Sequence, residues 1–295
     1  MKSGTSSLHA FLNARPDVFL PRREIFFFDV DDILQHPDFH FEPEAVPVFD
    51  PGDGELLSWY RGHFDGASEG QVVGEDSTTY LASPRAPGRI RRIRPDVRLI
   101  FLLRDPIARS YSHYWHLVRT RRVGMGFEEA MARDLTIVQR SFYARQLCRY
   151  RELFPAEQIL CVLYEEMLAR PDEVLRRVLA FLDLPAPEEE LRLPHANPGA
   201  SFRSVRAELL YNRVTAGARG SRYRGRIPGL EGEPWPGWLE RLDRAFERLN
   251  RRESGGYPAL RRPATREFLG RLFRRENRGL EELIDGDPGR WWSWW

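Results

Sequence analysis

Val97-Arg98-Leu99-Ile100-Phe101-Leu102-Leu103-Arg104-Asp105-Pro106 reads as a buried strand that passes straight into a helix. Residues 97–103 form an apolar run without polar alternation, the pattern of a strand covered on both faces and typical of a parallel sheet. Asp105 and Pro106 then supply a helix N-cap and a proline at the first helical position. The spacing predicts a helix from there to about residue 120.

The same alternation extends both ways along the chain. Ile159-Leu160-Cys161-Val162-Leu163-Tyr164 is a second buried strand and residues 71–76 a shorter one. Helices are expected at 5–14, 86–94 and 139–154, and from Pro171 to near Leu184-Pro185. The remaining chain is mostly helical, at about 201–215, 236–252 and 264–284. Strands alternating with helices predict an α/β three-layer sandwich around a central parallel sheet. Gly and Pro are densest near 45–54 and 225–237, which read as surface loops, so residues 1–295 are expected to form a single domain.

Composition narrows the function. The 295 residues carry 45 basic and 43 acidic side chains, a net charge of +2, which gives no overall field for nucleic acid. No apolar run reaches the roughly 18 residues of a membrane span. Lys2 is followed by polar residues rather than an apolar stretch, so no secretory leader is read. Cys148 and Cys161 form neither a disulfide framework nor a metal-ligand cluster, and a cytoplasmic, reducing compartment is expected. Of the 45 basic residues 44 are Arg, and Lys2 is the only lysine. Arginine-biased coding explains the 44. A position that keeps a compact point charge on a flexible stem, rather than a planar fork, invites a functional reading.

Two segments are suited to anions. In Lys2-Ser3-Gly4-Thr5-Ser6-Ser7-Leu8, Gly permits close backbone approach, and hydroxyls and open N–H groups gather at a helix N-terminus beside Lys2. It is not a Walker A loop, because the lysine precedes the only glycine. An ordinary Ser-rich helix cap would read the same way. In the second segment a buried strand ends at Arg104 and the following helix carries Ser112. Ligands of open α/β sheets bind at the carboxyl ends of strands, so Arg104 and Ser112 can share an anion. A plain surface ion pair is the competing reading. Together the segments describe a nucleotide with phosphates at two places, and no carboxylate cluster points to Mg²⁺.

These residues resemble the PAPS-dependent sulfotransferases, especially the heparan-sulfate-type and bacterial members. The family's Lys-x-Gly-Thr-x-x-Leu phosphosulfate loop is similar to Lys2, Gly4, Thr5 and Leu8, with Ser3, Ser6 and Ser7 within it. Its 3′-phosphate motif is similar to Arg104-Asp105-Pro106 with Ser112. Its Glu-x-x-Phe-Phe-Asp segment is similar to Glu24-Ile25-Phe26-Phe27-Phe28-Asp29. Further matches are Ser141-Phe142-Tyr143-Ala144-Arg145-Gln146-Leu147, Phe154-Pro155, Val162-Leu163-Tyr164-Glu165 and the late Phe273…Glu276-Asn277…Leu280…Leu283…Gly286-Asp287…Trp291. The likeness runs through nearly the whole chain in order. It implies a P-loop-NTPase-like sulfotransferase fold, PAPS as donor with PAP as product, no metal, and a glycan or small-molecule acceptor sulfated on a hydroxyl or amine. It further implies Glu24 as base, Lys2 on the leaving phosphate, and Arg104 with Ser112 on the 3′-phosphate. Arg109 lies one turn on and reads at least as well as a solvent-facing residue. A bacterial source is expected, and a homodimer is left open.

Four departures from the family pattern stand out. Members place an apolar strand before the loop. Here the loop begins at Lys2, so a chain starting at Met1 is expected to be poorly active or unstable. Phe26 stands where heparan-type members often have His. Asp76, in Glu75-Asp76-Ser77-Thr78-Thr79-Tyr80, stands where some have a substrate-contacting Lys, against a polyanionic acceptor. Ser254-Gly255-Gly256-Tyr257-Pro258 replaces a late Lys-Gly-Arg loop. Asn197 and Ser201-Phe202-Arg203-Ser204 read first as a capped helix start. In the Trp291-Trp292-Ser293-Trp294-Trp295 run, packing is expected of Trp291. Two other functions stay open: a P-loop-type kinase and a degenerate, non-catalytic nucleotide-binding protein.

Overall fold

The computed structural model describes residues 2–32, 35–36, 54–194, 201–218, 236–252 and 256–295. Helix α1 is Thr5–Asn13, followed by β1 (Val18–Phe19), α2 (Gly54–Gly62), β2 (Val72–Val73) and α3 (Ala86–Ile93). The central unit is β3 (Leu99–Leu103), α4 (Pro106–Arg119), α5 (Phe127–Arg133), α6 (Thr136–Gln139), α7 (Tyr143–Arg151) and β4 (Ile159–Leu163). Then come α8 (Tyr164–Ala169), α9 (Pro171–Phe181), β5 (Ser201–Phe202), α10 (Val205–Thr215), α11 (Gly237–Asn250), β6 (Arg251–Arg252), α12 (Pro263–Glu276) and α13 (Pro288–Trp291).

Strands β3 and β4 pair in parallel over five residues, Leu99 opposite Ile159 through Leu103 opposite Leu163. Strands β1 and β2 pair in parallel over two residues, and β5 with β6 antiparallel. Successive side chains of a strand point to opposite faces, and here the two faces enter different cores. Phe101, Leu103, Ile159, Cys161 and Leu163 pack with Tyr143, Leu147 and Tyr150 of α7, with α2 and α3, and with Phe27 and Phe28. Leu160 and Val162, with Ile100 and Leu102 half-buried, pack with Leu8 and Leu12 of α1 and with Val174, Leu175, Val178 and Leu179 of α9. Helices on both faces of a parallel pair make the three layers expected from the sequence. The paired ladders are shorter than the apolar runs predict. Val97 and Arg98 precede β3, and the predicted strand 71–76 pairs only at Val72 and Val73.

A third cluster holds α4 in place. Ile107, Tyr114, Leu117 and Val118 meet Phe127, Ile137 and Phe142 from α5, α6 and the start of α7, and Leu269 and Phe273 from α12. The expected helix cap is present: Asp105 Oδ1 accepts from the Ala108 N–H at 2.8 Å. Ser204 caps α10 through the Ala207 N–H at 3.2 Å, as its sequence context indicates. Asn197, Ser254 and Gly255 lie outside the described residues, as do the arginines at 219, 222, 224 and 226.

Candidate active site

The first anion segment folds into an open helix start. Gly4 precedes α1 at φ 88, a left-handed conformation that favours glycine. A Cβ there would lie 2.7 Å from both Met167 Cε and Tyr164 Cδ2, so glycine is also required by space. The Gly4 carbonyl accepts from the Ser7 and Leu8 N–H groups at 3.0 and 3.1 Å. The N–H groups of Thr5 and Ser6, in the first turn, have no intrahelical acceptor. Lys2 itself sits at φ 67, a costly backbone state for a side-chain-bearing residue. That turn aims the Lys2 carbonyl at Arg104, whose Nη1 donates to it at 3.0 Å.

Arg104 follows β3 and stacks over the Tyr164 ring, 4.9 Å from guanidinium to centroid. The same ring closes the space beside Gly4, so one tyrosine after β4 packs both anion segments. The backbone of Arg104 is fixed by Tyr143: its hydroxyl donates to the Arg104 carbonyl at 2.9 Å and accepts from the Arg104 N–H at 3.5 Å. Arg104 Nε is buried and has no hydrogen-bond partner. On α4, Ser112, His116 and Arg119 recur at i, i+4 and i+7 and share one face. Lys2 lies close to this face: burial, then Arg119 and Arg104, lower its ammonium pKa to about 8. Burial, then Lys2 and Arg119, lower His116 to about 3, so it is neutral at ordinary pH. Ser112 is buried at 3% exposure, and its hydroxyl makes no hydrogen bond to a described residue. Lys2, Arg104 and Arg119 form no ion pair with a described carboxylate. Cations held together without counter-charge, beside an unpartnered guanidinium N–H and an open helix start, fit a polyanion.

Carboxylates gather elsewhere. Glu24 is half-buried and accepts from Thr78 Oγ1 at 3.3 Å, turned away from the exposed Arg22 and Arg23. Burial, and then Asp76, raise its pKa. Asp76 Oδ1 lies 2.9 Å from His9 Nδ1 on α1, which ties this group to the helix that opens at Gly4. Glu75 is half-buried, with the Tyr60 hydroxyl at 3.1 Å. Burial raises it to about 8, with Asp29 and Asp76 adding to the effect. Asp29 meets His36 Nε2 at 3.0 Å, and the His36 ring stands edge-on to Phe26 at 5.1 Å. Phe26, where a histidine was noted as missing, is therefore a buried core residue at φ 60 with an imidazole against its ring.

The sulfotransferase family model matches residues 1–188, a span that holds both anion segments and Glu24. The chain belongs to the sulfotransferase family. It is 26% identical over 231 residues to human heparan sulfate glucosamine 3-O-sulfotransferase 5, covering 74% of this chain and 61% of that one. It is 30% identical over 192 residues to mouse heparan sulfate glucosamine 3-O-sulfotransferase 3A1, covering 62% of this chain and 44% of that one. The chain thus spans at most about three fifths of these curated relatives. The structure of a sulfotransferase from Alicyclobacillus acidocaldarius superposes with TM-score 0.61 at 24% identity, over 98% of this chain and 94% of that one, a likeness of fold. Among the described residues no helix is long and apolar enough to cross a membrane.

Within this sulfotransferase fold, Lys2 and Arg104 are in direct contact, Gly4 is cradled beside them, and Ser112 is on the α4 face that carries His116 and Arg119. Ser3 is buried, while Thr5 and Ser7 are half-buried and Ser6 is exposed around the first turn of α1. Glu24 is joined to α1 only through Asp76 and His9, and has no hydrogen bond to Lys2. Arg109 is a correction. It is 1% exposed, with Nε on Ser141 Oγ at 2.5 Å and Nη2 on the Ile137 carbonyl and on Ser110 Oγ at 3.1 Å. Its position, between Asp105 and Ser112 on the inward side of α4, buries it. Of the late loop, Tyr257 stacks on Trp115 with ring centroids 5.9 Å apart. Sequence reading missed Tyr164, His116 and Arg119. Stepping by helical period from Ser112 finds the last two; Tyr164 stands in a segment similar to the family, but its place beside Gly4 and Arg104 shows only in the fold.

Proposed function

We propose that this chain transfers a sulfuryl group from PAPS to a hydroxyl or amine of a glycan or small-molecule acceptor, with residues 1–295 acting as one unit. The observation that carries this reading is the buried, unpartnered Nε of Arg104, next to Lys2 and the open start of α1. Lys2, Ser3, Gly4, Thr5, Ser6 and Ser7 would hold the phosphosulfate end of the donor, and Arg104 with Ser112 the 3′-phosphate. PAPS, when bound, supplies the sulfuryl group and a phosphate leaving group. Glu24 takes the acceptor's proton, and its raised pKa suits a base that must hold that proton. Lys2 meets the charge left on the departing phosphate, and the N–H groups of Thr5 and Ser6 stabilise it.

The relatives' names specify heparan sulfate glucosamine. Asp76, together with Glu24 once ionised, places negative charge at the acceptor end, so we assign this chain an acceptor less anionic than heparan sulfate. Cys161, buried, and Cys148, exposed, are both free thiols, which supports a reducing, cytoplasmic setting. Calorimetry with adenosine 3′,5′-bisphosphate without Mg²⁺ tests the donor reading. Binding there supports it; no binding there, together with tight Mg-ATP binding, would instead establish a kinase. Labelled-sulfate transfer across an acceptor panel then tests catalysis.

A further inference from the structure

The tryptophan segment at 291–295 reaches the donor site without entering it. Expectation favoured Trp291 as the packed residue. In the structure Trp292 is the buried one, at 1% exposure, with Trp291 half-buried beside it. Trp292 Nε1 donates to Glu165 Oε2 at 3.1 Å, and Trp294 Nε1 donates to Asp105 Oδ2 at 2.6 Å. The two indoles lie nearly parallel, with centroids 6.2 Å apart. Trp292 leans on Tyr143, and Trp294 on Phe273 of α12.

Asp105 and Glu165 are the carboxylates next to the donor site in sequence: Asp105 follows Arg104, and Glu165 follows Tyr164, on which Arg104 stacks. Either would be an obvious ion-pair partner for Arg104. Neither is one: each of their carboxylate oxygens is turned to another donor. Asp105 Oδ1 caps α4 through the Ala108 N–H at 2.8 Å, and Oδ2 holds Trp294. Glu165 Oε1 accepts the Asp105 backbone N–H at 3.0 Å, and Oε2 holds Trp292. Arg104 therefore keeps a buried Nε with no partner.

We propose that Trp292 and Trp294 are positioning residues: their indole N–H groups sequester Glu165 and Asp105, and so keep the Arg104 guanidinium available for an anionic ligand. An indole N–H suits this role because it only donates and carries no charge. It satisfies a carboxylate oxygen without adding a cation that would compete for the ligand. A guanidinium left beside an unsatisfied carboxylate forms a charge-assisted pair, and an incoming phosphate must then displace it. The proposal rests on the nucleotide reading above only for the identity of the anion.

The test uses the full chain and adenosine 3′,5′-bisphosphate as probe. Trp294→Phe keeps an aromatic ring and removes only the donor. It is expected to weaken the dissociation constant about tenfold, equivalent to ~1.4 kcal/mol, with an unchanged far-ultraviolet circular dichroism spectrum. Adding Asp105→Asn, which still caps α4 but cannot pair ionically with Arg104, is expected to restore affinity to within about threefold of wild type. Trp292→Phe, rescued by Glu165→Gln, repeats the test at the other indole. A purely structural tail would show no such rescue. Equal affinity in Trp294→Phe and wild type, or a loss that Asp105→Asn leaves in place, overturns the proposal. The Arg104 Nε–H nuclear magnetic resonance signal, assigned with Arg104→Lys, reads the same event without nucleotide. It should move in Trp294→Phe, and a signal that stays put overturns the clamp. Failure of wild-type protein to bind the bisphosphate strikes the nucleotide reading alone, and this resonance then decides the clamp.

Discussion

The candidate site along α1 has a cationic end, at the helix start, and an acidic end, beside the middle of the helix. At its start lie Lys2, Arg104 and Arg119, cations without described carboxylate partners. One turn on, His9 touches Asp76, behind which stand Glu24 and Glu75, both half-buried. Folding gains nothing from crowding like charges, since each crowd opposes its own ionisation. Burial first, and then neighbouring like charges, lower Lys2 and His116 at the cationic end and raise Glu24 and Glu75 at the acidic end. The Arg121 cluster, by contrast, buries opposite charges together. Arg121 is enclosed by Glu208, Asp243 and Glu247, with the Tyr211 ring 4.9 Å away. In the proposed function the cationic end accommodates a ligand's charge and the acidic end a moving proton, while the Arg121 cluster serves the architecture.

This contrast predicts that the acidic end governs rate and the cationic end governs donor affinity. The largest effect is expected at Glu24. Glu24→Gln should lower kcat about 10³-fold and leave the bisphosphate dissociation constant within about twofold, as read by sulfate transfer and calorimetry. A matching loss in affinity would erase the distinction between the ends. Arg104→Ala should weaken bisphosphate binding about 100-fold, because it removes charge-assisted hydrogen bonds to a phosphate. Gly4→Ala should cost about tenfold in the same assay, through the positive φ and the contact with Tyr164.

The pH dependence sharpens the comparison further. As the proposed base, Glu24 would act only when ionised, so kcat/KM should rise through its raised pKa. Lys2 loses its charge above about 8, so kcat/KM should fall beyond that point. In Glu24→Gln the rising limb should vanish while the falling limb stays. The smallest effect concerns stability. The folded-state pKa of Glu75, about 8, lies above its unfolded value, so its contribution is fully present below the unfolded pKa and is lost as pH rises toward 8. Glu75→Gln should therefore raise the melting temperature by about 3 °C at pH 8 and make little difference at pH 4. A gain of equal size at both would show that the carboxyl stays neutral throughout.

Much of this architecture is legible in the amino-acid order. The run at 99–103 and the Asp105-Pro106 start of α4 are local features: unbroken apolar character needs two covered faces, and a cap needs only its own first turn. The Lys2–Ser7 loop and Arg104 are legible for the same reason, since glycine spacing and a strand-terminal arginine are readable without partners. Arg109 was not. It sits five residues after Arg104, inside the helix that Arg104 precedes, and only the packing of α6 and the Ser141 turn decides that Arg109 faces the core. Glu24 was readable as a candidate, but its company of Thr78 and Asp76 rather than Arg22 and Arg23 was not.

By itself, then, the sequence determined the α/β order, the parallel strand pair and the positions of Lys2 beside Gly4 and of Arg104 at the end of β3. Those follow from periodicity, backbone propensity and neighbours within one turn. Only the tertiary structure decided which charges stay unpaired. Pairing depends on residues far apart in the chain meeting at fixed distance, as Trp294 meets Asp105 across 189 positions and leaves Arg104 without its nearest carboxylate.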